Sequence, residues 1–104
     1  MANTRRTMRY CSAVRTAIQL VLDEAGGDDD ALMGAYVERV VPDPDESRLR
    51  VEVSMPGDPD EGDWLRHLAR FRDPIRNEVA RTINRRKTPD LVYRLVEATP
   101  PEAP

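Results

Sequence analysis

Pro74-Ile75-Arg76-Asn77-Glu78-Val79-Ala80-Arg81-Thr82-Ile83-Asn84-Arg85-Arg86-Lys87 runs straight into Thr88-Pro89-Asp90-Leu91-Val92-Tyr93-Arg94-Leu95, joining an arginine-rich amphipathic segment to a short apolar run. At 3.6 residues per turn, Ile75, Val79, Thr82 and Ile83 fall on one stripe, so most of the basic residues turn away from the core. Proline is tolerated at the first helical position, and Asp73 before it can cap the free amides. The pattern predicts a helix from Pro74 to Lys87, stopped by Thr88-Pro89, and a strand from Leu91 to Val96. Arg76 and Lys87 fall on one flank of the stripe, Arg81 and Arg85 on the other. Arg86 lies nearer the apolar side, where its methylenes can cover the core.

Upstream, Trp64, Leu65, Leu68 and Phe71 recur at helical spacing, predicting a helix from Asp60 to Arg72 that abuts the next with almost no linker. Before it, Leu49, Val51, Val53 and Met55 alternate with Arg48, Arg50, Glu52 and Ser54, the period of a sheet covered on one face. Ala35 to Val41 reads as another strand, and the six residues Pro42 to Ser47 suit only a turn, which makes an antiparallel hairpin. Near the start, Cys11, Val14, Ile18, Val21, Leu22 and Ala25 predict a helix from Thr4 to Ala25, ended by Gly26-Gly27 acting as a cap. The order is α–β–β–α–α–β: an α+β fold with a three-stranded sheet and its helices on one face. Residues 1–97 are read as one domain, and the Pro-rich 98–104 as a disordered tail.

Composition narrows the function classes. A chain of 104 residues with 39% apolar and 34% charged side chains buries one modest core. It has no run that spans a bilayer, and its single Cys11 excludes an internal disulfide framework, which fits the cytoplasm. One His and one Cys cannot close a zinc site, no calcium-loop spacing is present, and no cofactor is implied. The net charge of −3 hides segregation: +4 over residues 1–15, −11 over 16–63 and +6 over 64–94. Such asymmetry points to a polyanionic partner. Neither a paired nucleophile and base nor a Gly-rich phosphate loop is present, so no catalytic residue and no small-molecule substrate is assigned.

The order of elements resembles type II KH domains. Arg5-Arg6 with Arg9, the run Leu49 to Asp58, and above all Ile75 to Arg81 followed by Arg85, Thr88-Pro89-Asp90-Leu91 and Tyr93 are similar to the ribosome-binding factor A family. The resemblance covers about residues 4 to 96. It implies a KH-like fold and a non-catalytic, cytoplasmic factor that binds the maturing small ribosomal subunit and assists processing or folding of its rRNA. Where the family has Ala-x-Gly between the two abutting helices, this chain reads Phe71-Arg72-Asp73.

The candidate RNA-binding residues are Arg72, Arg76, Arg81, Arg85, Arg86 and Lys87, extended by Arg5, Arg6 and Arg9 on the first helix. Arginine suits this work because its planar fork pairs with phosphate through two hydrogen bonds and stacks on bases. The competing reading is that Glu78, Asp73 and the acidic loops neutralise these charges. Trp64, Tyr36 and Tyr93 are read as core or edge residues, His67 as a surface or satisfied-core histidine, and Cys11 as packing. The alternative function is a protein-interaction module on the same scaffold. Nothing in the sequence demands more than a monomer.

Overall fold

In the computed structural model, which describes residues 4–84 and 87–99, the alternating run becomes the central strand of a three-stranded sheet. The elements are α1 (Thr4–Asp28), β1 (Tyr36–Pro42), β2 (Arg48–Ser54), α2 (Glu61–Leu68), α3 (Arg72–Thr82) and β3 (Asp90–Leu95). β1 pairs antiparallel with β2 across the predicted hairpin, and β3 pairs parallel with β2 on its other side. Leu49, Val51 and Val53 are buried against Val14, Ile18 and Leu22 of α1, Trp64 and Leu68 of α2, and Ile75 and Val79 of α3. Each such side chain contributes roughly 1.5–3 kcal/mol by leaving water. The opposite sheet face carries Arg39, Arg50 and Glu52, with Glu52 bridging both guanidinium groups.

Several local expectations are corrected. α1 does not stop at Ala25 but runs through both glycines to Asp28. Gly26 is there for close approach: a Cβ on it would stand 3.1 Å from the Met33 Cα, in the chain that folds back over the helix end. Asp60 caps α2 by accepting from the Asp63 amide at 2.9 Å. α2 ends at Leu68, and a 3-10 turn, Ala69–Phe71, leads into α3, which begins at Arg72 rather than Pro74. Asp73 therefore sits inside the first turn and does not cap it. Phe71 (φ −110°, ψ 8°) and Arg72 (φ −59°, ψ −45°) have ordinary L-residue angles, so this junction requires no glycine.

α3 is also shorter than predicted. It ends at Thr82, where Ile83 turns extended (φ −95°, ψ 141°) and drops its side chain into the core. Thr82, assigned to the buried stripe from spacing, is exposed and returns its hydroxyl to the Glu78 carbonyl. Lys87 consequently lies beyond the helix, and Arg85 and Arg86 lie outside the described residues. Beyond β3, Thr99 donates its amide to Glu38 and accepts from Arg39. Residues 100–104 lie outside the described residues.

The two sheet edges differ. Along β1, Gln19 of α1 accepts from the Val37 amide at 2.8 Å and donates to the Ala35 carbonyl at 3.0 Å, while Arg15 donates to the Val37 carbonyl at 2.9 Å. Along β3, Glu61 accepts from the Leu95 amide at 2.8 Å. Among the described residues no such partner meets the outward backbone of Leu91 or Tyr93.

Candidate nucleic-acid interface

Burial of Ile75, Val79 and Ile83 fixes the rotation of α3 and leaves Arg72, Arg76 and Arg81 in solvent. The first turns of α3 stand beside the entry of β3 and enclose a groove of about 360 Å³, lined by Arg72, Asp73, Arg76, Pro89, Asp90, Leu91 and Tyr93. Tyr93 lies on the inward side of β3 and is buried, yet its phenol has no hydrogen-bond partner among the described residues. Burial pushes that phenol above the usual tyrosine range, with the Arg72 charge pulling it partly back. The groove thus offers two guanidinium groups, one phenolic donor and the positive end of a helix, with Asp73 and Asp90 on its rim. A phosphate or the polar edge of a base fits that chemistry.

Ion pairs engage several arginines elsewhere, though among the described residues not Arg48 on β2 or Arg5, Arg9 and Arg15 on α1. Arg39 and Arg50 are bound to Glu52, Arg66 to Asp63, Arg70 to Asp29 and Arg94 to Glu61. Among the described residues, Arg72, Arg76 and Lys87 have no ion pair, and Arg81, 78% exposed, meets only Glu78, at 3.7 Å. Lys87 is exposed in the segment entering β3, which Asp90 ties to the hairpin turn through Ser47. Thr7 ties the start of α1 to the same turn by donating to Glu46 at 2.6 Å. Arg5, Arg6 and Arg9 are exposed on α1 near that end of the molecule. The structure therefore brings Arg72 and Arg76 together on one groove. Arg5, Arg6, Arg9 and Lys87 belong to the hairpin-turn end.

The remaining singled-out residues fall into place. Trp64 is buried with its Nε1 unpartnered among the described residues, so it is not a stacking surface. Tyr36, by contrast, is half exposed on β1 beneath the Arg15 guanidinium, 4.9 Å from the ring centre. His67 pairs through Nδ1 with Asp29 at 2.9 Å, and Cys11 is buried. Among the described residues no group of three or more His, Cys, Asp or Glu is placed to hold a metal ion. No described helix is long and apolar enough to cross a membrane. The sequence reading made Tyr93 a core or edge residue, without a role in binding. Its inward position was readable from alternation along the strand, but the groove depends on parallel pairing with β2.

Compared with known proteins, the chain matches no family model and no curated protein by sequence. Its structure is similar to the crystal structure of ribosome-binding factor A from Thermus thermophilus, with a TM-score of 0.68 and 24% sequence identity. The match covers 86% of this chain and 94% of that one. A likeness of this extent establishes the fold: the helices and the three-stranded mixed sheet are arranged as in that KH-like protein.

Proposed function

We propose that this protein is a non-catalytic RNA-binding factor of the small ribosomal subunit, acting in the cytoplasm on the processing or folding of its rRNA. The observation that carries the reading is the convergence of two unpaired guanidinium groups, Arg72 and Arg76, on one groove. Among the described residues, Arg39, Arg50 and Arg94 on the sheet and Arg66 on α2 are paired with neighbouring carboxylates, whereas Arg72 and Arg76 converge on the α3 groove without an ion pair. The shared fold with a ribosome-binding factor supports the choice of partner.

In mechanism, Arg72, Arg76 and the Tyr93 hydroxyl bind phosphates or base edges in the groove. Arg81 and Lys87 extend the basic surface, with Arg85, Arg86, Arg5, Arg6 and Arg9 as its further reach. The acidic loops around Asp28–Asp30 and Asp43–Glu46 repel a polyanion elsewhere and so orient docking. Binding favours the rRNA conformer that fits the groove, and the factor departs when maturation removes that conformer.

The test is co-sedimentation of the purified protein with small ribosomal subunits at low salt, comparing the parent with the double variant Arg76→Glu, Arg81→Glu. Both positions are exposed, so the variant should fold normally by circular dichroism while losing most of its ribosomal association. Retention equal to the parent would rule out this surface. Capture by a protein partner that survives ribonuclease, with no RNA held at low salt, would replace the reading with an interaction module.

A further inference from the structure

α1 carries its charges against its own dipole. Its first turn holds no acid and its last no base. Instead Arg5, Arg6 and Arg9 stand near the positive end, with Asp23, Glu24 and Asp28 near the negative end. Arg9 and Asp23 have no ion pair among the described residues, and 14 residues put them about 21 Å apart along the axis, too far to meet within one helix. Between them the outward face holds Ser12, Ala13, Thr16 and the 49% exposed Leu20, and Met8, just before Arg9, is 65% exposed; Arg5, Met8, Arg9, Ser12, Ala13 and Thr16 rim a shallow hollow.

We infer that this face of α1 pairs antiparallel with the same face of a second copy, about a two-fold axis at Thr16. The spacing is self-complementary. Arg9 and Asp23 are each seven residues from Thr16, Ser12 and Leu20 each four, and all project to the same side of the helix. In an antiparallel pair, Arg9 of each copy faces Asp23 of the other. Leu20 of each copy enters the space left by Ser12 and Ala13 of the other, where small side chains let the helices approach. A two-fold contact requires one patch to complement itself, and opposite charges at the two ends of one face meet that requirement. The dipoles also benefit, because each positive end comes beside a negative one. One helix face is small beside the roughly 1,600 Å² of a standard interface, so the pair is weak, concentration-dependent and salt-sensitive.

Sedimentation equilibrium on nuclease-treated, RNA-free protein tests this over a concentration series at low salt. The parent should show a monomer–dimer equilibrium. Arg9→Asp and Asp23→Arg should each weaken it by about tenfold or more through like-charge contact. The double variant Arg9→Asp, Asp23→Arg should restore it, since the pair is rebuilt with its signs exchanged. Asp23 also accepts from Gln19 at 2.8 Å, so Leu20→Lys serves as a second disruption that leaves this bond intact. A parent that stays monomeric at every concentration, or a dimer indifferent to the single reversals, overturns the proposal. So does failure of the double variant to recover pairing. Arg76→Glu, Arg81→Glu should leave the dimer unchanged, which keeps this result separate from the RNA reading.

Discussion

At Gly34 the backbone takes φ +86°, and a Cβ built there would stand 2.8 Å from the Pro56 Cγ. Gly34→Ala therefore meets both left-handed strain and a ring that must move, and should lower stability in urea titration by roughly 1–3 kcal/mol. Asp29 shows a different dependence. Its carboxylate is bound to His67 and to the Ala31 amide, which hold it below the usual aspartate range despite some desolvation, with His67 the largest cause. A depressed carboxyl contributes stability that is present above its unfolded value and lost as pH falls through the folded one. The loss should thus lie below about pH 4. Asp29→Asn should be less stable than the parent at neutral pH, and the gap should narrow on acidification, as measured by urea midpoints across that range.

α1 and β1 are joined along an edge by Gln19, whose single amide serves both Ala35 and Val37. Gln19→Ala should cost about 1–2 kcal/mol and speed hydrogen exchange at the Val37 amide, while the inner ladder between β1 and β2 keeps its protection. That bridge had no signature in the sequence, because it joins residues 18 apart through tertiary placement. β2 was legible to within a residue, since Leu49, Val51 and Val53 must all face one way in a sheet covered on one side. The end of α3 was not. Arg85-Arg86-Lys87 are good helix formers with no glycine before them, and what stops the helix is the descent of Ile83 into the core. The outward turn of Arg76 and Arg81 followed from spacing alone, but the Tyr93 groove required β3 to lie parallel beside β2. Gly26-Gly27 misled for a related reason: glycine serves equally for a left-handed cap and for close backbone contact, and only the path of Met33 decides between them.

For the molecule as a whole, a net charge of −3 opposes approach to any nucleic acid, so affinity must come from a local field. If Arg72, Arg76, Arg81 and Lys87 each neutralise one phosphate of single-stranded RNA, the logarithm of affinity should fall against the logarithm of salt with a slope of about −3. Arg76→Glu, Arg81→Glu should flatten that slope as well as lower affinity, readable by filter binding at several salt concentrations. A slope near zero would mean that the groove does not hold a polyanion. The unequal edges of the sheet carry one more consequence. Because Arg15 and Gln19 already hold the backbone of Ala35 and Val37, a strand added at that end of β1 must displace them, whereas among the described residues Leu91 and Tyr93 on β3 present outward backbone that no side chain holds. An added strand should therefore seat first along Leu91 and Tyr93, where no existing bond has to break.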